Sequence, residues 1–354
     1  MRVLLSLVAL AALTICPALA QDRLMSAPPA LEAIANAPAL GLEKAAGGDD
    51  ADDALKAFAA GDYAGARKLA AAQAQKGDAQ ADVILGYLLQ NGLGGRADIG
   101  AALAHYGDAA LKGNADAQIA LGMLAFRGDG VWPDYERAAG WFRLAAQQGD
   151  ARGAVRLAIM FMQGVGVPMD HVAAAHYFGQ AAAAGDADGA YYMGCAFLDG
   201  DGVPADAAKA AANFERAAKG GNAAAAYELG MLYDSPRLGA PDTDKAVKLI
   251  RAAAESGYGP ASAAMGLIVH RGDAPGIAAD WFEKGLREGD AHSALLYAVA
   301  LLNGDGRAKE PGKAAAIAHE IATAEQTPAP LKSEALRLLD EIKVKTPASL
   351  TLRN

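Results

Sequence analysis

The sequence predicts an all-α protein built as a stacked array of short helical repeats. Two observations predict this: a Gly-Asp or Gly-Asn pair returns every 36 residues, and alanine dominates the hydrophobic residues, which make up 53% of the 354 residues. A repeat of this length cannot bury a core alone and must stack on its neighbours. Small side chains of high helix propensity suit closely packed helices. The anchor pairs are Gly77-Asp78, Gly113-Asn114, Gly149-Asp150, Gly185-Asp186 and Gly221-Asn222, followed by Gly257 alone and by Gly289-Asp290 after a repeat shortened by four residues.

Residues 1–20 are typical of a secretory signal peptide. Arg2 supplies one positive charge, residues 4–15 form an apolar core, and residues 18–20 match the small-x-small cleavage pattern. A membrane anchor is disfavoured because the apolar run is shorter than about 18 residues. Lipidation at Cys16 is disfavoured because no small residue directly precedes it. We therefore expect cleavage after Ala20 and a periplasmic or secreted chain with no membrane span.

Cleavage would leave Cys195 as the single cysteine of the mature chain. Such a chain cannot form an internal disulfide, and a lone helical cysteine is usually a buried, unreactive thiol.

Residues 21–50, with Pro28-Pro29 and Gly47-Gly48, predict a flexible N-terminal linker. A helix pair over 51–59 and 62–75 follows as a degenerate first repeat, and the repeats extend over residues 51–326. In residues 327–354, apolar side chains alternate with charges. This pattern predicts a capping helix and a tail.

Each repeat can be interpreted by counting from its anchor glycine. The Asp or Asn directly after the anchor predicts the N-cap of a first helix. A Leu-Gly or Met-Gly pair follows eight and nine residues after the anchor, as in Leu121-Gly122. A glycine inside a helix costs about 1 kcal/mol relative to alanine, so its recurrence predicts a close approach between helices. Three residues later come Phe161, Phe197 and Tyr233, which we expect in the core.

Glycine-rich turns such as Gly164-Val165-Gly166 predict the end of each first helix, since glycine tolerates the left-handed conformation of a helix end. An aspartate, such as Asp134, then predicts the start of a second helix. This second helix carries aromatic residues beside alanine pairs, as in Trp141-Phe142 and Ala145-Ala146. Large next to small residues at helical spacing favours interlocking packing.

The segment at 113–122, the Gly-x-Gly-Val turns, Lys209-Ala210 and Trp141-Phe142 through Ala145-Ala146 together resemble the Sel1-like repeat family, which is related to the tetratricopeptide repeats. The resemblance covers about residues 60–325 and weakens at 235–237 and after Gly272. It implies a right-handed α-solenoid of antiparallel helix pairs that serves as a protein-interaction scaffold. Bacterial members are often secreted or periplasmic.

No catalytic, cofactor or metal site is predicted. The six histidines occupy unrelated repeat positions, and the acidic run 199–202 lacks the bidentate glutamate of a calcium loop. No hydrolase or phosphate-loop motif occurs. The formal net charge of −9 disfavours a nucleic-acid partner. Some secreted Sel1-like proteins are linked to β-lactam hydrolysis, but those are cysteine-rich, unlike this chain.

The resemblance implies that the first helices line a concave face. Residues three, seven, ten and fourteen positions after each anchor share one stripe of these helices. We expect this stripe to bind a partner, with an ordinary solvated face as the alternative. Its residues are Asp116, Met123, Arg127, Arg152, Arg156, Ile159, Gln163, Asp188, Tyr192, Asp199, Glu228 and Met231.

The sequence thus indicates a non-enzymatic scaffold or regulator of the bacterial cell envelope that binds a protein or peptide. The alternatives are an envelope protein that binds peptidoglycan or polysaccharide, and a cell-wall or β-lactam hydrolase.

Overall fold

A computed structural model describes residues 49–128, 132–325 and 327–345, and this part of the chain is entirely α-helical apart from turns and one 3-10 turn at Pro236–Leu238. The predicted signal peptide, and the linker up to residue 48, lie outside the described residues. The described helices are α1 Asp49–Ala59, α2 Tyr63–Ala74, α3 Ala79–Gln90, α4 Ile99–Leu111, α5 Ala115–Arg127, α6 Tyr135–Gln147, α7 Ala151–Gln163, α8 His171–Ala183, α9 Ala187–Asp199, α10 Ala207–Lys219, α11 Ala223–Asp234, α12 Thr243–Glu255, α13 Gly259–Arg271, α14 Pro275–Arg287, α15 Ala291–Asn303, α16 Pro311–Thr323 and α17 Ala329–Lys345.

These helices form two compact units, α1–α9 and α10–α17. In the first unit each helix packs on the next one along the chain, and α7 also packs on α9. In the second unit, α11 pairs with α12, α13 with α14 and α15 with α16. The predicted all-α array of antiparallel helix pairs is confirmed.

The anchor aspartates and asparagines are the N-caps of the first helices, as predicted. The side chain of Asp150 accepts hydrogen bonds from the amides of Arg152 and Gly153 at 2.9 and 3.2 Å. Asn114 and Asp186 cap α5 and α9 in the same way. Each cap satisfies amides that have no partner inside the helix, which is worth about 1 kcal/mol.

The first helices end at glycines in the left-handed conformation. Gly128, Gly164 and Gly200 end α5, α7 and α9 with φ of 74°, 68° and 76°. A side chain would be strained in this conformation, so the recurrence of glycine in the turn has a direct cause.

In α3, α5 and α13 the glycine within the first helix lies directly under an aromatic ring of the second helix, and in α11 it lies under Ile250. A Cβ added at Gly122 would lie 2.4 Å from Cε1 of Phe142, and one added at Gly266 would lie 2.3 Å from Cε1 of Phe282. Both rings are buried. The predicted close approach is confirmed at these glycines.

One expectation about the core is met only in part, since Phe161 packs against two apolar clusters without being fully buried. Phe161, Phe197 and Tyr233 are half-buried, whereas Phe142 and Phe214 of the second helices are fully buried. The first helices are covered on both sides by neighbouring helices, and their glycines leave room for the ring from the second helix. The fully buried aromatic side chains, Tyr106, Phe142 and Phe214, therefore come from second helices, while first helices contribute fully buried aliphatic side chains such as Leu157.

In the second unit, α17 packs on α15 and α16. Leu331, Leu338 and Ile342 of α17 join the cluster formed by the last helix pair, while Leu336 is exposed. The helix therefore covers apolar surface that an ending array would leave open.

Candidate functional site

The structure places ten of the twelve predicted stripe residues on α5, α7 and α9, three first helices of the first unit. Glu228 and Met231 lie on α11 in the second unit. We therefore define the candidate site as the stripe on α5, α7 and α9.

This stripe is not an open solvated face. Met123, Ile159 and Arg156 expose only 3%, 4% and 8% of their surface, and Glu228 on α11 is also buried. Only Asp188 and Asp199 are exposed. The half-buried remainder are Asp116, Arg127, Arg152, Gln163, Tyr192 and, on α11, Met231. A partner would therefore meet a mixed surface of polar groups set between buried apolar side chains.

Arg152 joins two repeats through its guanidinium. Its Nη2 donates to Asp116 at 2.7 Å and to Asp150 at 2.5 Å, and its Nε donates to Asp150 at 3.1 Å. Burial acts to raise the pKa of Asp150, but the hydrogen bonds and charge of Arg152 outweigh it and hold that pKa below its ordinary value. The same contacts raise the pKa of Arg152 against the effect of burial. The positive charge of Arg152 is therefore neutralised within the chain.

Arg156 lies one helical turn further along α7 and has a different environment. Its Nε donates to the Sδ atom of Met123 at 3.3 Å, and its Nη1 donates to the main-chain carbonyl of Arg152 at 3.1 Å. Among the described residues no carboxylate lies within ion-pair distance of it. Burial and the nearby charge of Arg152 lower the pKa of Arg156 to about 10, so the side chain stays charged at neutral pH.

Tyr192 extends the site onto α9. Its ring stacks on Phe178 with centroids 4.7 Å apart and meets Tyr191 edge to face at 5.3 Å. Both Ile159 and Phe178 belong to the apolar cluster beneath it. Tyr192 is thereby held in place while part of it faces outward, an arrangement found in aromatic contact residues.

The sequence interpretation missed two groups that shape this site. Asp150 and Asp186 were assigned only as helix caps, yet Asp150 also pairs with Arg152. The carboxyl of Asp186 is half-buried near Arg156, and burial raises its pKa. Their recurrence at the cap position concealed this second role. Asp150 caps the helix that carries Arg156, whereas Asp186 comes near Arg156 because α9 packs on α7.

A second missed cluster lies on α3 and α4. The buried carboxylate of Asp82 contacts Nδ1 of His105 at 3.0 Å and accepts from Nζ of Lys112 at 2.8 Å. Other repeats have Gln118, Ala154 or Ala190 at the position of Asp82. The cluster ties α3 to α4, and its carboxylate oxygens are occupied.

Cys195 is half-buried on α9. The expectation of no internal disulfide concerns a chain without residues 1–20 and stays a prediction, because Cys16 lies outside the described residues.

Within residues 49–128, 132–325 and 327–345, no group of three His, Cys, Asp or Glu side chains could hold a metal ion. In the same part of the chain, no helix has both the length and the apolarity to cross a membrane.

Comparison with known proteins gives one consistent result. The sequence model of the Sel1 repeat matches residues 79–114, 115–150, 151–186, 187–222 and 223–258. A Sel1 repeat protein from Oxalobacter formigenes is similar in structure, with a TM-score of 0.61, 25% identity, and coverage of 67% of this chain and 97% of that chain. The protective antigen c5321 of uropathogenic Escherichia coli, described as displaying an SLR fold, is similar with a TM-score of 0.54, 21% identity, and coverage of 82% and 83%. No curated protein sequence matches the chain.

Proposed function

Because the chain belongs to the Sel1 repeat family, whose repeats generally serve as protein-interaction scaffolds, we propose that it is a non-enzymatic scaffold or regulator of the bacterial cell envelope. Its partner is a protein or peptide that binds along the stripe on α5, α7 and α9. The envelope location rests on the signal peptide expected in residues 1–20.

One observation carries the choice of this surface. The caps, turn glycines and helix-interior glycines recur from repeat to repeat, whereas the stripe position seven residues after the anchor is Ile84, Ala120, Arg156 and Tyr192 in successive repeats. Positions that maintain the array must repeat, because each repeat packs on its neighbours in the same way. Positions that vary are available to recognise a partner, and arginine and tyrosine are enriched among residues that dominate binding energy.

The absence of an enzymatic role is part of the proposal. In the candidate site the carboxylates of Asp116 and Asp150 pair with Arg152, and that of Asp186 accepts the amide of Gly189 at 2.6 Å. Groups held in such bonds stabilise the array and are poorly placed to move protons to and from a substrate. We therefore expect stoichiometric binding without turnover.

Site-specific photocrosslinking in the native host tests the proposal. A photoreactive amino acid is placed at Gln163 or Tyr192 on the stripe and, as a matched control, at exposed Arg137 on α6. We expect one adduct of constant mass from both stripe positions and none from Arg137. An adduct that forms only from Arg137, or none from any position, would refute binding on this stripe.

The exposure of one tryptophan supports the alternative function of binding peptidoglycan or polysaccharide. Trp132, next to the turn between α5 and α6, is 91% exposed, and an exposed indole offers a flat apolar face of the kind that packs on sugar rings. Co-sedimentation with purified sacculi that is lost in Trp132→Ala and kept in Arg156→Gln would favour this alternative. If the wild-type chain does not co-sediment, this function is ruled out.

A further inference from the structure

Arg156 holds a nearly buried positive charge that makes no ion pair with a carboxylate of the described residues, and Asp150 and Asp186 act on it only from a longer distance. A guanidinium has five N–H groups, and the structure gives Arg156 two hydrogen bonds, to a weak sulfur acceptor and to a main-chain carbonyl. Its Nη2 is not among the fully buried polar atoms that lack a partner, so this nitrogen reaches the surface. Burying a charge without a partner is unfavourable, so Arg156 lowers the stability of the free chain.

The nearest acidic residues are already committed to other groups. Asp116 and Asp150 bind Arg152, and Asp186 caps α9. Within the repeat array the corresponding positions on α3 and α5 are apolar, Ile84 and Ala120. A charge is therefore not needed at this position to build the array.

We propose that Arg156 binds the carboxylate of a glutamate side chain presented by the protein or peptide partner, an inference that rests on the proposed function. A planar guanidinium and a carboxylate form strong, charge-assisted hydrogen bonds, and these strengthen in a site from which water is largely excluded. The donor group is the Nη2 face of Arg156.

The surroundings favour a single carboxylate over other anions. The negative charges of Asp150 and Asp186 act on Arg156, and they oppose a doubly charged phosphate more strongly than a singly charged carboxylate. Only 8% of the surface of the Arg156 residue is exposed, so the carboxylate must arrive on a thin, flexible stem. The side chain of glutamate has such a stem, and Met123, whose Sδ lies 3.3 Å from Nε of Arg156, provides an apolar neighbour. A C-terminal carboxylate is attached directly to the main chain, whose amide would need its own partner at the same depth.

The test uses the full chain and three capped or uncapped tripeptides. The Nε–H resonances of arginine are followed by NMR while acetyl-Ala-Glu-Ala-amide is added, and the Arg156 signal is assigned from its loss in Arg156→Gln. We expect a saturable shift of the Arg156 resonance, while the neutral isostere acetyl-Ala-Gln-Ala-amide gives none. Acetyl-Ala-Ala-Ala with a free C-terminus reports on a terminal carboxylate.

The peptide titrations either support or overturn the binding of a glutamate carboxylate by Arg156. A shift of the Arg156 signal with the glutamate peptide alone supports the proposal. No shift, an equal shift with the glutamine peptide, or stronger binding of the free C-terminus overturns it. The measurement is made on the wild-type chain, so it stands even where a variant folds poorly.

The full partner gives a second readout, separate from the proposed function itself. Arg156→Gln is expected to weaken the complex captured at Gln163 by at least about tenfold, Arg156→Lys to weaken it less, and the control Arg137→Gln, which removes one exposed charge, to leave it unchanged. Full capture by Arg156→Gln would overturn the role of Arg156 and leave the scaffold function standing. Absence of any adduct in the wild-type chain would instead refute the scaffold function on this stripe.

Discussion

Replacement of Arg156 by methionine should stabilise the protein, although most substitutions of buried residues destabilise. The side chain of methionine has a similar length and fills the same space beside Met123 without a charge. Replacing a buried charged group by an apolar side chain of similar size is often neutral or stabilising by about 1–4 kcal/mol. Arg156 suits such a replacement because its charge has no carboxylate partner among the described residues.

The magnitude follows from the pKa of Arg156. Burial, together with repulsion by Arg152, lowers this pKa from an ordinary value of about 12.5 to about 10. At about 1.4 kcal/mol per pKa unit, the charged form destabilises the native state by about 3 kcal/mol. The substitution also removes the two hydrogen bonds to Met123 and Arg152, each worth about 0.5–1 kcal/mol. The net expected gain is about 2 kcal/mol.

The pH dependence has a definite sign. Arg156 is a base whose pKa is lower in the folded than in the unfolded chain, so its destabilising effect is fully present below about pH 10 and declines only above it. The gain from Arg156→Met should therefore be constant between about pH 6 and 9.

Urea unfolding and thermal melting of the full chain measure the effect. A gain of about 2 kcal/mol corresponds to a rise in Tm of about 4–8 °C for a unit of this size. The matched control is Arg152→Met, which should lower stability because it leaves Asp116 and Asp150 without their cation. If Arg156→Met instead destabilises as Arg152→Met does, the charge of Arg156 is compensated within the fold, and the argument for an external carboxylate is lost.

Three further outcomes are expected. In urea titrations, Arg152→Met should destabilise by about 1–2 kcal/mol at pH 7, and this loss should shrink below about pH 4. The reason is that the lowered pKa of Asp150 gives stability that is present above the unfolded pKa and lost as pH falls through the folded pKa. A difference that persists at pH 2 would contradict this. Gly122→Ala should destabilise by about 1–3 kcal/mol, because its Cβ would meet the buried ring of Phe142. The control Gly140→Ala, where the added Cβ has no atom within 4 Å, should stabilise by about 0.5–1 kcal/mol. Equal denaturant midpoints for the two variants would be inconsistent with close packing at Gly122. Intact-mass analysis of the chain exported by the native host should give a first residue of Gln21, and a retained leader would remove the basis for the envelope location.

Most of the architecture could be predicted because its causes are local. A glycine, an Asp or Asn cap and a glycine-rich turn act within a few residues, and their period shows where each helix begins and ends. The interlock of Gly122 with Phe142 could also be inferred, because a glycine within a helix is unfavourable unless a neighbouring group fills the space of its missing side chain. The partial burial of Phe161 could not be predicted from the local pattern, since both partners of an interlocking pair must be known to decide which side chain is fully buried.

The candidate site was predicted as a set of positions but not as a set of chemical environments. Helical spacing alone put Arg152 and Arg156 on the same stripe and made them appear equivalent. Their difference depends on contacts with the preceding repeat: Asp116 joins the local Asp150 in neutralising Arg152, while the Sδ atom of Met123 on α5 accepts the Nε–H of Arg156. By itself, then, the sequence determined the repeat, the helices and the stripe, because helix caps, turns and packing periodicity depend on residues that are close together in the chain. Only the tertiary structure decided that Arg152 is neutralised by ion pairs and that Arg156 forms none among the described residues. Burial and ion pairing between repeats depend on groups about 36 residues apart that meet when the repeats stack.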